Sequence, residues 1–149
     1  MANTQIKSKE RVKARGEVFT NEREVKAMCD LIPKETWDNI ESTFLEPACG
    51  NGNFLVEILA RKFERCKDEK DGLKSLASIV GIDIQADNCE ESRKRLYDMY
   101  CAKFAQSNSF CRLMAHQILQ NNIICGDSLK IQQEWIDKME NKPVQLSLL

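Results

Sequence analysis

Residues 44–54 read Phe-Leu-Glu-Pro-Ala-Cys-Gly-Asn-Gly-Asn-Phe, a short apolar run closed by an acid, a proline and two glycines before an amphipathic stretch begins. Gly50 and Gly52 permit a tight turn and close backbone approach. A helix starting just after them offers unpaired N–H groups to a carboxylate or another polar ligand edge. Two further acids follow apolar runs in the same way, Asp83 in Gly81-Ile82-Asp83-Ile84 and Asp127 in Cys125-Gly126-Asp127-Ser128. An acid after the second run suits a ribose, because a carboxylate accepts from both hydroxyls at once. Ile84 beside it is placed to cover an adenine face. Together these residues point to the binding of a nucleoside-containing cofactor.

Three acids converge only if they end neighbouring parallel strands, since ligands of doubly wound sheets lie beyond the carboxyl ends, where strand order reverses. The sequence predicts strands near 43–46, 77–83 and 122–125, and helical spacing fills the intervals. Val25, Met28, Cys29 and Ile32 share one face of a segment that opens at Thr20 or Asn21 and ends at Pro33. After the glycine turn, Phe54, Leu55, Ile58, Leu59 and Phe63 recur at core spacing. The charged stretch 61–74, with its Asp71-Gly72 pair, reads as a helix end followed by a solvated turn. Cys89, Leu96, Met99 and Phe104 belong to a long helical region that Ser107-Asn108-Ser109 divides, and a last helix covers 129–139, ahead of Pro143. The fold class is therefore α/β: a partial, Rossmann-like parallel sheet of three strands with flanking helices, right-handed crossovers and an additional N-terminal helix.

One domain is expected at this length, divided into a basic flexible arm over 1–15, a ligand-binding body over 16–140 and a tail over 141–149. Lys7, Lys9, Arg11, Lys13 and Arg15 alternate along the arm with only Glu10 to offset them, the pattern of a mobile, solvated segment. With 22 basic and 23 acidic residues, the chain lacks the overall positive field of a free-standing nucleic-acid binder. The 7 cysteines are dispersed and have no Cys-x-x-Cys spacing, which argues against a zinc or redox site and for reduced thiols in a cytoplasm. No stretch approaches the roughly 20 apolar residues that span a bilayer. A soluble cytoplasmic protein with no membrane partner is expected. Trp37, Trp135 and the lone His116 read as packing residues.

The distance from Gly52 to Asp83 exceeds the roughly 20 residues of the dinucleotide fingerprint, whose third glycine is also absent. The chain resembles instead the S-adenosylmethionine-dependent methyltransferases, and among them the family that methylates the exocyclic amine of adenine in DNA. The Glu-Pro-Ala-Cys-Gly-Asn-Gly run is specific to that group. Gly16-Glu17-Val18-Phe19-Thr20-Asn21 is similar to the family's N-terminal motif of Gly, a short spacer, Phe, Thr and Pro, with Asn21 in place of the proline. Its position ahead of the glycine loop is the order seen in modification subunits of restriction systems. The resemblance covers 16–129. It implies S-adenosylmethionine as cofactor, with Phe19 and Thr20 at the methionine moiety and Ala48, Cys49, Gly50, Gly52 and Phe54 forming the loop and helix start beneath it. It further implies that Glu46 orients the loop, Asp83 holds the ribose, Ile84 packs on adenine and Asp127 accepts from the adenine amine.

Catalysis in that family rests on an Asn or Asp followed by Pro-Pro and an aromatic, which accept from and stack on a flipped adenine. The 3 prolines here stand at 33, 47 and 143, so the motif is absent and no catalytic residue is assigned. Asn141-Lys142-Pro143-Val144 lacks the first proline and the aromatic. No target-recognition region is visible either. The expectation is a cofactor-binding member of the family that methylates DNA only with a partner, either a second copy or a protein supplying the rest of the sheet, because an incomplete sheet leaves an open edge. The alternative is a non-catalytic module brought to replicating DNA by its tail. Gln145, Leu146, Ser147, Leu148 and Leu149 resemble the short peptide by which bacterial replication proteins bind the sliding clamp. Methylation of RNA or of protein glutamine shares the glycine loop but needs the same absent motif.

Overall fold

The computed structural model describes residues 5–140. Its centre is a sheet of three short strands, β1 (Phe44–Glu46), β2 (Ile79–Asp83) and β3 (Ile123–Cys125), in the order β1-β2-β3 and parallel throughout. Helices α4 (Asn53–Phe63) and α5 (Glu69–Ala77) carry the chain from β1 to β2, and α6 (Ala86–Lys103) and α7 (Ser109–Asn122) carry it from β2 to β3. Ahead of β1 lie α1 (Lys9–Arg15), α2 (Glu22–Cys29) and α3 (Lys34–Asp38), and α8 (Ser128–Glu140) follows β3. This is an α/β arrangement with a partial Rossmann-like sheet. Glu46 is in register with Gly81, and Asp83 with Cys125, so the carboxyl ends of all three strands open at one end of the sheet.

The core forms where helix faces meet the central strand. Ile79 of β2 shares one buried cluster with Leu55 and Leu59 of α4, Leu76 of α5 and Leu96 and Tyr100 of α6, and Ile82 is also fully buried, all without solvent exposure beyond a trace. Each such side chain contributes roughly 1.5–3 kcal/mol by leaving water. Phe63, Tyr100 and Phe104 form an aromatic cluster with ring centroids 5.0–6.5 Å apart. Trp37 is buried and stacked on Phe44 at 5.1 Å, which makes it a packing residue, whereas His116 is exposed and meets Tyr97 edge-on at the surface.

Three expectations are corrected. Residues 61–74 are not a helix end and a solvated turn: Asp68 caps a new helix, α5, which runs through Asp71-Gly72. Gly72 is buried there because a Cβ at this position would overlap the Phe104 ring, so the glycine marks close packing rather than a turn. Pro33 closes the region of α2 but opens α3, its φ of −57° being preset for a helix start. The arm is ordered from Gln5 onward: Ser8 caps α1 and Gly16 ends it with a left-handed φ of 64°. As expected of an incomplete sheet, β1 lies at one edge, and β2 takes the middle position. No reversal of strand order occurs among the described strands, so the glycine loop stands beside the open edge of β1.

Among the described residues, no helix is long and apolar enough to cross a membrane. The segment Asn141-Lys142-Pro143-Val144 and the Gln145, Leu146, Ser147, Leu148, Leu149 peptide lie outside the described residues, as does the side chain of Trp135.

Candidate functional site

The loop after β1 is a tight turn fixed to the next strand. Cys49 N–H donates to the Ile82 carbonyl at 2.8 Å and Gly52 N–H to the Cys49 carbonyl at 2.9 Å. Gly50 and Gly52 have φ of 54° and 93°, the left-handed region that side chains rarely adopt. A Cβ on Gly50 would also lie 2.9 Å from the Phe19 ring, and one on Gly52 2.9 Å from Ser92 Oγ. Gly52 then stands at the cap position of α4 and offers no side-chain acceptor, which leaves the first N–H groups of that helix available to a ligand.

A cleft of about 570 Å³ opens over this loop, within the range of roughly 300–1,000 Å³ typical of small-molecule sites. Glu46, Ala48, Cys49 and Gly50 line its floor, with Phe54 at the start of α4. Phe19 and Thr20 close one side, and Asp83, Ile84 and Asp127 the other. Of the residues singled out from the sequence, Gly52 alone does not line the cleft; it sits behind the loop, against Ser92. Cys49 lines it, yet its side chain packs against Gly81 of β2 and burial pushes its thiol up to about 12, so it presents backbone rather than reactive sulfur. Ile84, Val18 and Leu129 are 44%, 56% and 75% exposed and form an apolar rim.

The three acids differ in how they are held. Asp83 is wired into the loop: Oδ2 accepts from Gly50 N–H at 3.0 Å, and Oδ1 from Gln85 N–H at 2.9 Å and Asn88 Nδ2 at 3.1 Å. An ionised carboxylate has about four acceptor positions, so one stays open toward a ligand hydroxyl. Glu46 accepts from Ala48 N–H at 3.2 Å. Burial pushes its carboxyl above the ordinary value, with the Ala48 bond opposing. Asp127 accepts from Leu129 N–H at 3.0 Å through Oδ1, which fixes the turn into α8.

The supports beneath the loop are residues the sequence reading passed over. Asn88, Ser92 and Arg95 occupy one face of α6: Ser92 Oγ donates to the Gly50 carbonyl at 3.2 Å, and Arg95 donates to the Asn51 carbonyl and to Asn53 Oδ1 at 2.9 and 2.8 Å. Asn53 Nδ2 in turn donates to the Thr20 carbonyl at 2.8 Å, tying the Phe19-Thr20 segment to α4. Phe19 N–H donates to the Gln5 carbonyl at 2.6 Å. The available signal was the spacing of the three polar residues by 4 and 3, which places them on one helical stripe.

Over 83 residues, 55% of this chain, the sequence is 37% identical to the Type II methyltransferase M.VspI of Vibrio sp. (strain 343). The aligned part is 17% of the length of that protein, so this chain corresponds to a small portion of it. No family model matches the chain, and no solved structure does.

Proposed function

We propose that this chain is the cofactor-binding part of an S-adenosylmethionine-dependent methyltransferase acting on the exocyclic amine of adenine in DNA. The single observation that carries the reading is the wiring of Asp83: the acid at the end of the central strand accepts from the Gly50 N–H of the glycine turn and keeps one acceptor position open over the cleft. The residues present fit the cofactor. The uncapped start of α4 suits its carboxylate, Asp83 its ribose, and the apolar rim of Ile84 and Leu129 its adenine ring, with Asp127 placed to accept from the adenine amine. Glu46 supplies negative charge beside the loop that favours a sulfonium cation. The bound cofactor would supply the electrophilic methyl group. Similarity to a Type II methyltransferase over the aligned region supports the same reading.

The chain itself does the binding and orienting. The Asn or Asp with Pro-Pro and an aromatic that would grip a flipped adenine is absent from its 149 residues. Methyl transfer to DNA therefore requires groups that these residues do not supply, and the edge of β1, which pairs only with β2 among the described residues, offers unpaired backbone groups to the segment or partner that carries them.

Titration calorimetry with S-adenosylmethionine tests the reading. Wild type is expected to bind, and Asp83→Ala to lose about 1–3 kcal/mol through unmet ribose hydrogen bonds and the released Gly50 N–H. Equal affinities would remove Asp83 from the site. Labelled methyl transfer to DNA in the presence of a candidate partner then separates this reading from a non-catalytic binding module, which would take up cofactor and transfer nothing.

A further inference from the structure

The carboxylate of Asp83 is the end of a chain of polar contacts that reaches across the cleft to α1. Asn88 is fully buried, and its amide nitrogen donates both hydrogens to carboxylates: one to Asp83 Oδ1 at 3.1 Å and one to Glu17 Oε2 at 2.8 Å. Two acids are thereby bridged by one neutral donor, which fixes both and relieves their repulsion. Glu17 is held from its other side by Arg11, whose Nη2 donates to Oε2 at 2.9 Å while its Nε lies 2.7 Å from Oε1. Arg11 also forks onto Asp87 at the start of α6, at 2.7 and 3.1 Å, and holds that carboxyl well below the usual range. Lys7 adds contacts to Asp87 and Glu91, both at 3.2 Å. The segment so anchored, from α1 to Thr20, is one wall of the cleft.

The geometry points to Asn88, Glu17 and Arg11 as positioning residues: they set the orientation of the Asp83 carboxylate and tie the docking of residues 5–20 to occupation of the ribose position. The inference rests on the cofactor reading above. It goes further in making the basic N-terminal segment a latch over the site rather than a solvated arm. Because coupling between two sites is reciprocal, a ligand hydroxyl on Asp83 stabilises the docked segment as much as the docked segment favours that ligand. Asn88 touches no ligand in this scheme; it acts through Asp83.

The test compares S-adenosylhomocysteine with its 2′-deoxy analogue by calorimetry, alongside hydrogen exchange at residues 16–20. Wild type is expected to prefer the ribose form by about tenfold and to gain protection at 16–20 on binding it. In Asn88→Ala the preference should fall to about twofold or less and the added protection should vanish. A variant with general loss of packing would weaken both ligands equally and keep their ratio. Should Asn88→Ala not fold, Glu17→Gln and Arg11→Gln carry the test, each expected to lower the ratio. An unchanged ratio in the folded variants overturns this inference and leaves the cofactor reading intact. Failure of wild type to bind either ligand overturns the cofactor reading and this inference with it.

Discussion

Lys62 shows how far a single side chain can depart from its usual behaviour. It is fully buried in α4, where its amine donates to the carbonyls of Ile40 and Ser42 at 2.8 and 2.7 Å and closes the turn ahead of β1. Burial pushes it down to about 8, whereas the unfolded chain keeps the ordinary value of 10.5. From pH 8 upward the native state has released a proton that the unfolded state still holds, so stability rises with pH. The thiols of Cys29, Cys49, Cys66 and Cys89, all raised by burial from the ordinary value of 9.0, oppose this as pH approaches 9, because the unfolded chain ionises first, and they do so equally in a Lys62 variant. Urea denaturation at pH 7.5 and 8.8 should therefore show the stability of wild type rising relative to that of Lys62→Met, and the variant should be less stable by about 1–3 kcal/mol because two carbonyls lose their donor. Glu46 obeys the opposite sign. Its raised carboxyl becomes neutral as pH falls, so affinity for the cationic S-adenosylmethionine should drop relative to neutral S-adenosylhomocysteine. Calorimetry at pH 7 and pH 5 should show that ratio fall about threefold to fivefold in wild type and stay level in Glu46→Gln.

At the scale of elements, two glycines set tolerances that propensity alone would misjudge. Gly72 lies inside α5, where alanine is ordinarily better by about 1 kcal/mol. The added methyl would overlap the ring of Phe104 and crowd Tyr100, and overpacking of this kind costs about 1–3 kcal/mol. Thermal unfolding of Gly72→Ala should therefore show a lower Tm, and a higher one would mean that the α5 to α6 packing is looser than described. The Asp71-Gly72 pair had read as a turn because a glycine beside an acid has that meaning locally; only the aromatic rings of another helix give it the other. Gly52 stands behind the loop on Ser92 with a left-handed φ. Gly52→Ala should be destabilised by about 1–3 kcal/mol.

At the scale of the whole molecule, the sheet ends where pairing could continue. Among the described residues β1 bonds only to β2, and Leu45 at its middle is 44% exposed. Light scattering should show mass rising with concentration or on adding a complementing partner. Leu45→Lys should suppress the rise without lowering Tm, since a charged edge discourages pairing. A single mass over a broad concentration range, with and without partner, would count against the edge as a docking strip.

The sequence by itself determined the features whose causes are local. A left-handed turn demands glycine at 50 and 52, short apolar runs are followed by acids, and capping residues such as Asn108 break a helical region where one was expected. The tertiary structure decided what joins distant parts of the chain. Asn88 meets Glu17 across 71 residues of sequence and Arg11 meets Asp87 across 76, and nothing in either neighbourhood signals the other. A polar side chain on a helix reads as solvated until the fold places an acceptor beside it, because a hydrogen bond depends on position in space. The ordered arm and the support of α6 beneath the loop both belong to that second class.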